Sequence, residues 1–255
     1  MADPTGTLLL SAGMAVAAGL VGCFAVMRRM SLASDALSHV ALPGIGIALA
    51  LHLHPVVGAL AALLAGTVLV WGLERRTGIP TETVVGVVFS LALAVGSLLA
   101  TGDELVDALL GSPGRLGPWE IGLGLAGAAA VSAFVLTQRH RLVLTLVSRD
   151  IARTSGIGVA RLELLFLVAF AVTVALGLRY LGVLLMGSLV IIPAATAKHL
   201  ARGLSGMLGI AAAAAVLSTL AGELLAARLG HAPGPVIIAV AASLFLVTLP
   251  LRRTR

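Results

Sequence analysis

The chain has 255 residues, of which 59% are hydrophobic and only 11% charged, with a formal net charge of +6. A soluble domain carries about a quarter charged residues, so there is too little polar surface here to cover a water-soluble globule. The basic residues sit between apolar runs and are not interleaved with aromatics, which excludes a nucleic-acid footprint and points to lipid as the surrounding solvent.

Nine apolar segments follow one another, at 7–27, 32–51, 55–73, 83–100, 119–137, 162–178, 181–197, 206–226 and 235–250. Each is long enough, or nearly so, to cross about 30 Å of hydrocarbon as a helix. They are rich in Ala, Leu and Gly and lack the period-two alternation of a membrane β-barrel. The expected fold is therefore all-α: one polytopic transmembrane helical bundle over 1–255, with eight or nine spans. The count depends on 162–197, which reads as two short spans or as a span plus a re-entrant piece around Arg179 and Tyr180. No basic region precedes the first segment, so it reads as a retained helix, not a cleaved signal. Cys23 lies within it and is the single cysteine. It reads as a small packing residue, and no internal disulfide or cysteine metal cluster is possible.

The breaks between segments carry the topology. Arg28–Arg29, Glu74–Arg75–Arg76, the 138–161 stretch with Arg139, Arg141, Arg149 and Arg153, Lys198 with Arg202, and the tail Arg252–Arg253 fall at alternate breaks. The remaining breaks hold His52 and His54, then Asp103, Glu104 and Asp107, then His231. By the positive-inside rule the first set is cytoplasmic, which places the N-terminus outside and the C-terminus in the cytoplasm.

Within the second segment, Asp35 and His39 are four residues apart, so on a helix they share one face. Counted from Arg29, His39 lies roughly 15 Å deep, near the bilayer midplane. An ionisable residue there costs about 3 kcal/mol or more. Carboxylate and imidazole together suit zinc, manganese or iron; the blander alternative is a pair that hydrogen-bonds within the bundle. Pro43 has no N–H to offer the carbonyl of His39, which leaves that oxygen free beside the two side chains. Gly44 and Gly46 then permit a kinked or loosened helix. Ser38 either bonds back within the helix or faces the path.

His52 and His54 sit at a predicted outer end, either to hand on metal or as interfacial polar residues. The 138–161 stretch reads as a cytoplasmic loop in which Asp150 is placed to cap a short helix ended by Gly156, and the apolar Ile151 and Ile157 have no membrane to face there. Pro193 frees the carbonyl of Leu189, as a gate-like irregularity or an ordinary kink. Lys198 and His199 close the seventh segment, where cations suit a helix C-terminus.

The stretch Arg28 to Gly46, with its Ser-Asp-Ala-Leu-Ser-His core followed by Leu-Pro-Gly, resembles the signature of the permease subunits of zinc and manganese ABC importers, the ABC-3 metal permease family. Leu181 to Ala197, ending Pro-Ala-Ala-Thr-Ala, resembles a second block of that family; Gly86 to Ser90 and Pro233–Gly234 are weaker matches. The resemblance implies a permease dimer served by a cytoplasmic ATPase subunit and an extracytoplasmic metal-binding protein, in a prokaryotic plasma (inner) membrane. It also implies that Asp35 and His39 line the metal path and that a coupling helix lies near 148–157. The sequence departs from the pattern at Glu223, inside the eighth segment, where a small or apolar residue is usual. Glu223 is then an extra path residue or is paired with Arg228.

There is no Gly-x-x-x-x-Gly-Lys-Ser/Thr loop, so ATP hydrolysis is expected from a partner and not from this chain. There is no His-Glu-x-x-His, so an intramembrane zinc protease is unsupported. No resident cofactor is expected; the divalent ion, Zn2+ or Mn2+, is cargo. Three functions fit: an ATP-driven metal importer subunit, a secondary cation transporter or channel using the same Asp and His, and an importer subunit for a metal chelate.

Overall fold

The computed structural model describes residues 4–53, 55–99, 117–181 and 183–251. These form ten α-helices in chain order: α1 Pro4–Met27, α2 Ser31–Ala50, α3 Pro55–Thr77, α4 Thr81–Leu99, α5 Pro118–Val147, α6 Arg149–Thr154, α7 Val159–Leu181, α8 Val183–Leu200, α9 Leu204–Leu229 and α10 Pro233–Thr248. A 3-10 turn, Leu249–Leu251, follows, and no strand occurs among the described residues. Every predicted apolar segment is a helix. The ambiguous 162–197 region is two helices, α7 and α8.

Local chemistry sets the boundaries. Proline opens α3, α5 and α10, where its missing N–H would be unpaired anyway. Backbone in the left-handed region closes several helices, with Gly78, Gly156 and Gly230 at φ 69, 77 and 68. Arg29 and His52 do the same without the freedom of glycine, at φ 59 and 55. At Arg29 the turn is a Schellman motif, in which Met30 N–H donates to Ala25 O at 2.9 Å and Arg29 N–H to Val26 O at 3.3 Å.

α1 is the central post. It packs against α5, α7, α8 and α9, and 72% of its apolar window is buried, against 22% for α5. A helix apolar on all sides belongs in the interior, and one with a large exposed apolar face belongs against lipid. Small residues let backbones meet: a Cβ on Gly22 would run into the Val190 carbonyl of α8, and one on Gly19 would lie 2.7 Å from the Ala211 carbonyl of α9. These contacts bring the last turn of α1 to the same end of the bundle as the last turn of α8 and the first turn of α9.

α2 and α3 form the other close pair. Gly44 meets the carbonyl of Gly58, and Gly66 faces Val40. Rising numbers on α3 match falling numbers on α2, so the two are antiparallel. Gly44, which the sequence offers as a point of loosening after Pro43, lies within a continuous α2 and lets α3 approach.

Two expectations about 138–161 are corrected. Residues 138–147 continue α5 as helix, because charged side chains do not end a helix once it leaves hydrocarbon; Leu142 on that extension is 0% exposed. The cap of α6 is Ser148, whose hydroxyl accepts from Ile151 N–H at 3.3 Å. Asp150 lies in the first turn instead, 3.6 Å from Arg153.

Candidate metal-binding site and the basic end of the bundle

α2 carries Asp35 and His39 one turn apart. The side chains of Asp35 and Ser38 lie outside the described residues. His39 is half-buried, and its Nδ1 is buried with no hydrogen-bond partner among the described residues. Its ring lies against Phe89 of α4, centroids 5.5 Å apart and tilted by 59°. An unmet polar atom away from water is costly, and natural structures keep few of them. An imidazole nitrogen with no protein partner is free for a metal or for a water on a metal. Helix α2 runs on through Pro43, whose Cδ lies 3.5 Å from where a Cβ of Gly96 on α4 would sit.

Thr67 of α3 escaped the sequence reading. It is 1% exposed, and its hydroxyl has no hydrogen-bond partner among the described residues. Several hydroxyls within these helices bond back to the preceding turn: Thr173 to Ala169 O at 2.8 Å, Thr196 to Ile192 O at 2.9 Å, Ser218 to Ala214 O at 2.7 Å. Thr67 does not, and neither does Thr219 of α9. Because Gly66 faces Val40, Thr67 stands at the level of His39. Two orphaned polar atoms thus lie at one depth on neighbouring helices. A threonine after Ala-Gly inside an apolar run is a faint signal, and only the α2–α3 register gives it meaning.

The other candidates are scattered. Pro193 is buried within a continuous α8. Glu223 makes no ion pair with Arg228 among the described residues. Five residues on a helix set the two roughly 140° apart, and Arg228 is exposed. Glu223 lies beside Ser11 of α1, whose hydroxyl donates to Leu8 O at 3.2 Å. It lines a small cavity with Ser11, Thr219 and Met186. His52 is exposed in the turn that ends α2, and His54 lies outside the described residues. Ile151 is 54% exposed on α6, and Gly156 supplies the left-handed stop. Ile157, expected to be open to a partner like Ile151, packs against the chain's own core instead.

At the basic end, four charges gather. Arg149 Nη2, at the start of α6, donates to Glu74 Oε1 of α3 at 3.0 Å and lies 3.0 Å from Glu163 Oε1 of α7. Arg28, just after α1, places its guanidinium 4.5 Å over the Phe166 ring of α7. Burial lowers the pKa of Arg28 from its ordinary value, Glu163 and Glu74 oppose that, and Arg149 adds to it. For Arg149 burial also pulls down, but the hydrogen bond and charge of Glu74 and the charge of Glu163 outweigh it, and the net shift is upward. Trp71 Nε1–H donates to Ala160 O at 3.1 Å and ties α3 to the first turn of α7.

The sequence matches the family model described as the ABC 3 transport family over residues 5–252. It is 30% identical over 235 residues to the high-affinity zinc uptake system membrane protein ZnuB of Haemophilus influenzae, covering 90% of each chain. It is 33% identical over 261 residues to the manganese transport system membrane protein MntC of Bacillus subtilis, covering 96% of this chain and 59% of that one. Among solved structures it is similar to PsaBC from Streptococcus pneumoniae in complex with Fab, with a TM-score of 0.82 and 25% identity over 96% of this chain and 90% of that one.

Proposed function

Since this chain belongs to the ABC 3 transport family, a family of membrane permeases and not of enzymes, we propose that it forms the membrane path of an ATP-driven importer for a divalent transition-metal ion. Zinc and manganese, named in its relatives, are the first candidates for cargo, with iron a third. The observation that carries this reading is the buried Nδ1 of His39, which has no hydrogen-bond partner among the described residues and sits one helical turn from Asp35 near the middle of an apolar helix.

Asp35 and His39 offer a carboxylate oxygen and an imidazole nitrogen, and Pro43 leaves the His39 carbonyl free. Zinc takes about four ligands and manganese about six. A second copy of the chain facing the first doubles the set and brings it into that range. The end that carries Arg28, Glu74 and Arg149 faces the cytoplasm, and α6 offers Ile151 to a cytoplasmic ATPase subunit. An extracytoplasmic binding protein delivers the ion at the opposite end, where His52 and His231 lie.

The test is uptake of radioactive zinc or manganese into proteoliposomes that hold this permease with its ATPase and binding protein. ATP-dependent uptake is expected, and Asp35→Asn or His39→Ala abolishes it while the variants still assemble. Uptake at the full rate without the ATPase replaces the importer with a secondary transporter. Normal uptake by either folded variant removes the metal path from α2.

A further inference from the structure

The four charges at the basic end form a balanced group: Arg28 and Arg149 against Glu74 and Glu163. The two carboxylates are only 16% and 14% exposed, whereas Arg149 is 56% exposed. Arg149 is thus the outer member of a largely buried set. It is also the one that belongs to α6, the short helix with an open apolar side chain. Arg28 is the inner member. It precedes the strained Arg29 turn, and Asp35 and His39 follow it by seven and eleven residues.

We propose that Arg149 is the positioning residue through which movement of α6 reaches the metal-bearing helix α2, by way of Glu74, Glu163 and Arg28. The inference rests on the importer reading above and adds the residues that connect its two ends.

The physical argument is one of charge balance. A guanidinium that bridges two carboxylates holds α3 and α7 at a fixed spacing, because it is rigid and cannot lose its proton. If α6 is drawn outward, Arg149 leaves with it. Two mostly buried carboxylates then share one cation, and an uncompensated buried charge is costly. The cheapest response is a tighter approach of both to Arg28. Arg28 is held by the Schellman turn that joins α1 to α2, so its displacement turns the first residues of α2. A second basic residue of α6 provides the contrast: among the described residues Arg153 pairs with Asp150 of the same helix, at 3.6 Å, with the two side chains 67% and 92% exposed. Such a pair contributes little and reaches no other element.

The experiment measures metal imported per ATP hydrolysed in the reconstituted complex. Arg149→Gln is expected to lower that ratio roughly tenfold while hydrolysis continues, and Arg153→Gln to leave it unchanged. The double variant Arg149→Gln with Glu163→Gln separates linkage from mere stability. It restores charge balance, leaving Arg28 with Glu74, but not the bridge from α6. It is expected to recover thermal stability and remain uncoupled. A wild-type ratio in Arg149→Gln overturns the inference, as does full recovery of coupling in the double variant. Failure of the wild-type complex to import metal with ATP overturns the importer reading itself, and the inference falls with it.

Discussion

A buried polar atom with no partner is a cost that a sequence can remove by substitution, and two atoms without a partner among the described residues lie at one depth here, His39 Nδ1 and the Thr67 hydroxyl. The first was legible from the sequence, since an imidazole at mid-depth one turn from a carboxylate stands out in a run of Ala and Leu. The second was not, because its significance comes from Gly66 packing on Val40, a contact between helices. If the hydroxyl orients His39 or a water on the metal, Thr67→Val will weaken uptake by about tenfold in KM, the lower end of what loss of an outer hydrogen bond to a metal ligand costs. Thr67→Ser will stay near wild type. Thr67→Val is isosteric and removes an unmet polar group, so its thermal stability will be equal or higher. Weakened transport in a protein that is no less stable is an outcome that a packing role does not produce. Unchanged uptake would mean that the hydroxyl is idle.

At the scale of elements, apolar length and composition were enough to find every long apolar helix among the described residues, because lipid leaves the backbone no option but internal hydrogen bonds. What the chain does beyond hydrocarbon was less legible. The α5 helix extends ten residues past its predicted end at 137 through Arg139, His140 and Arg141, since nothing in a basic residue opposes helix. Ser148 caps α6 ahead of Asp150 because it holds the extended backbone, φ -156 and ψ 118, that a cap needs. Ile157 turned inward onto the core, so the coupling prediction narrows to Ile151→Asp alone, which is expected to uncouple ATP hydrolysis from transport. Close helix contacts make a sharper test of packing. A Cβ on Gly44 would meet the Gly58 carbonyl and, at 2.5 Å, the Ala62 Cβ. Gly44→Ala must push α3 away and is expected to cost about 1–3 kcal/mol. Gly72→Ala, on the same α3, meets nothing within 4 Å and is expected to stabilise by up to about 1 kcal/mol through helix propensity. Thermal unfolding of the detergent-solubilised variants checks both, and equal effects would show that the α2–α3 approach is looser than the contacts require.

Across the whole molecule, charge is divided between the two ends. Arg28, Arg29, Glu74 and Arg149 line one cleft of about 450 Å³, and the glycine contacts of α1 with α8 and α9 bring Lys198 and Arg202 to the same end. His231, with its Nδ1 3.0 Å from Leu229 O, terminates α9 at the other. A membrane that retains positive charge on its cytoplasmic side orients such a chain with the arginine-rich end inward. The orientation matters to the proposed mechanism, because an ATPase can act on α6 only from the cytoplasm. The native thiol helps in measuring it: Cys23 is 0% exposed, with its sulfur 3.6 Å from the Met207 carbonyl, so labelling by a membrane-impermeant maleimide should have little background. In right-side-out vesicles that contain this chain alone, His231→Cys is expected to label and Ile151→Cys to stay silent; in inside-out vesicles the pattern reverses. Co-expression with the ATPase subunit should then protect Ile151→Cys in the inside-out vesicles, because a side chain 54% exposed on the free chain becomes the covered centre of an interface. Labelling of Ile151→Cys from the outside would invert the topology and separate α6 from any cytoplasmic motor. Labelling from the inside that the ATPase does not diminish would keep the topology and move the docking surface elsewhere on the basic end.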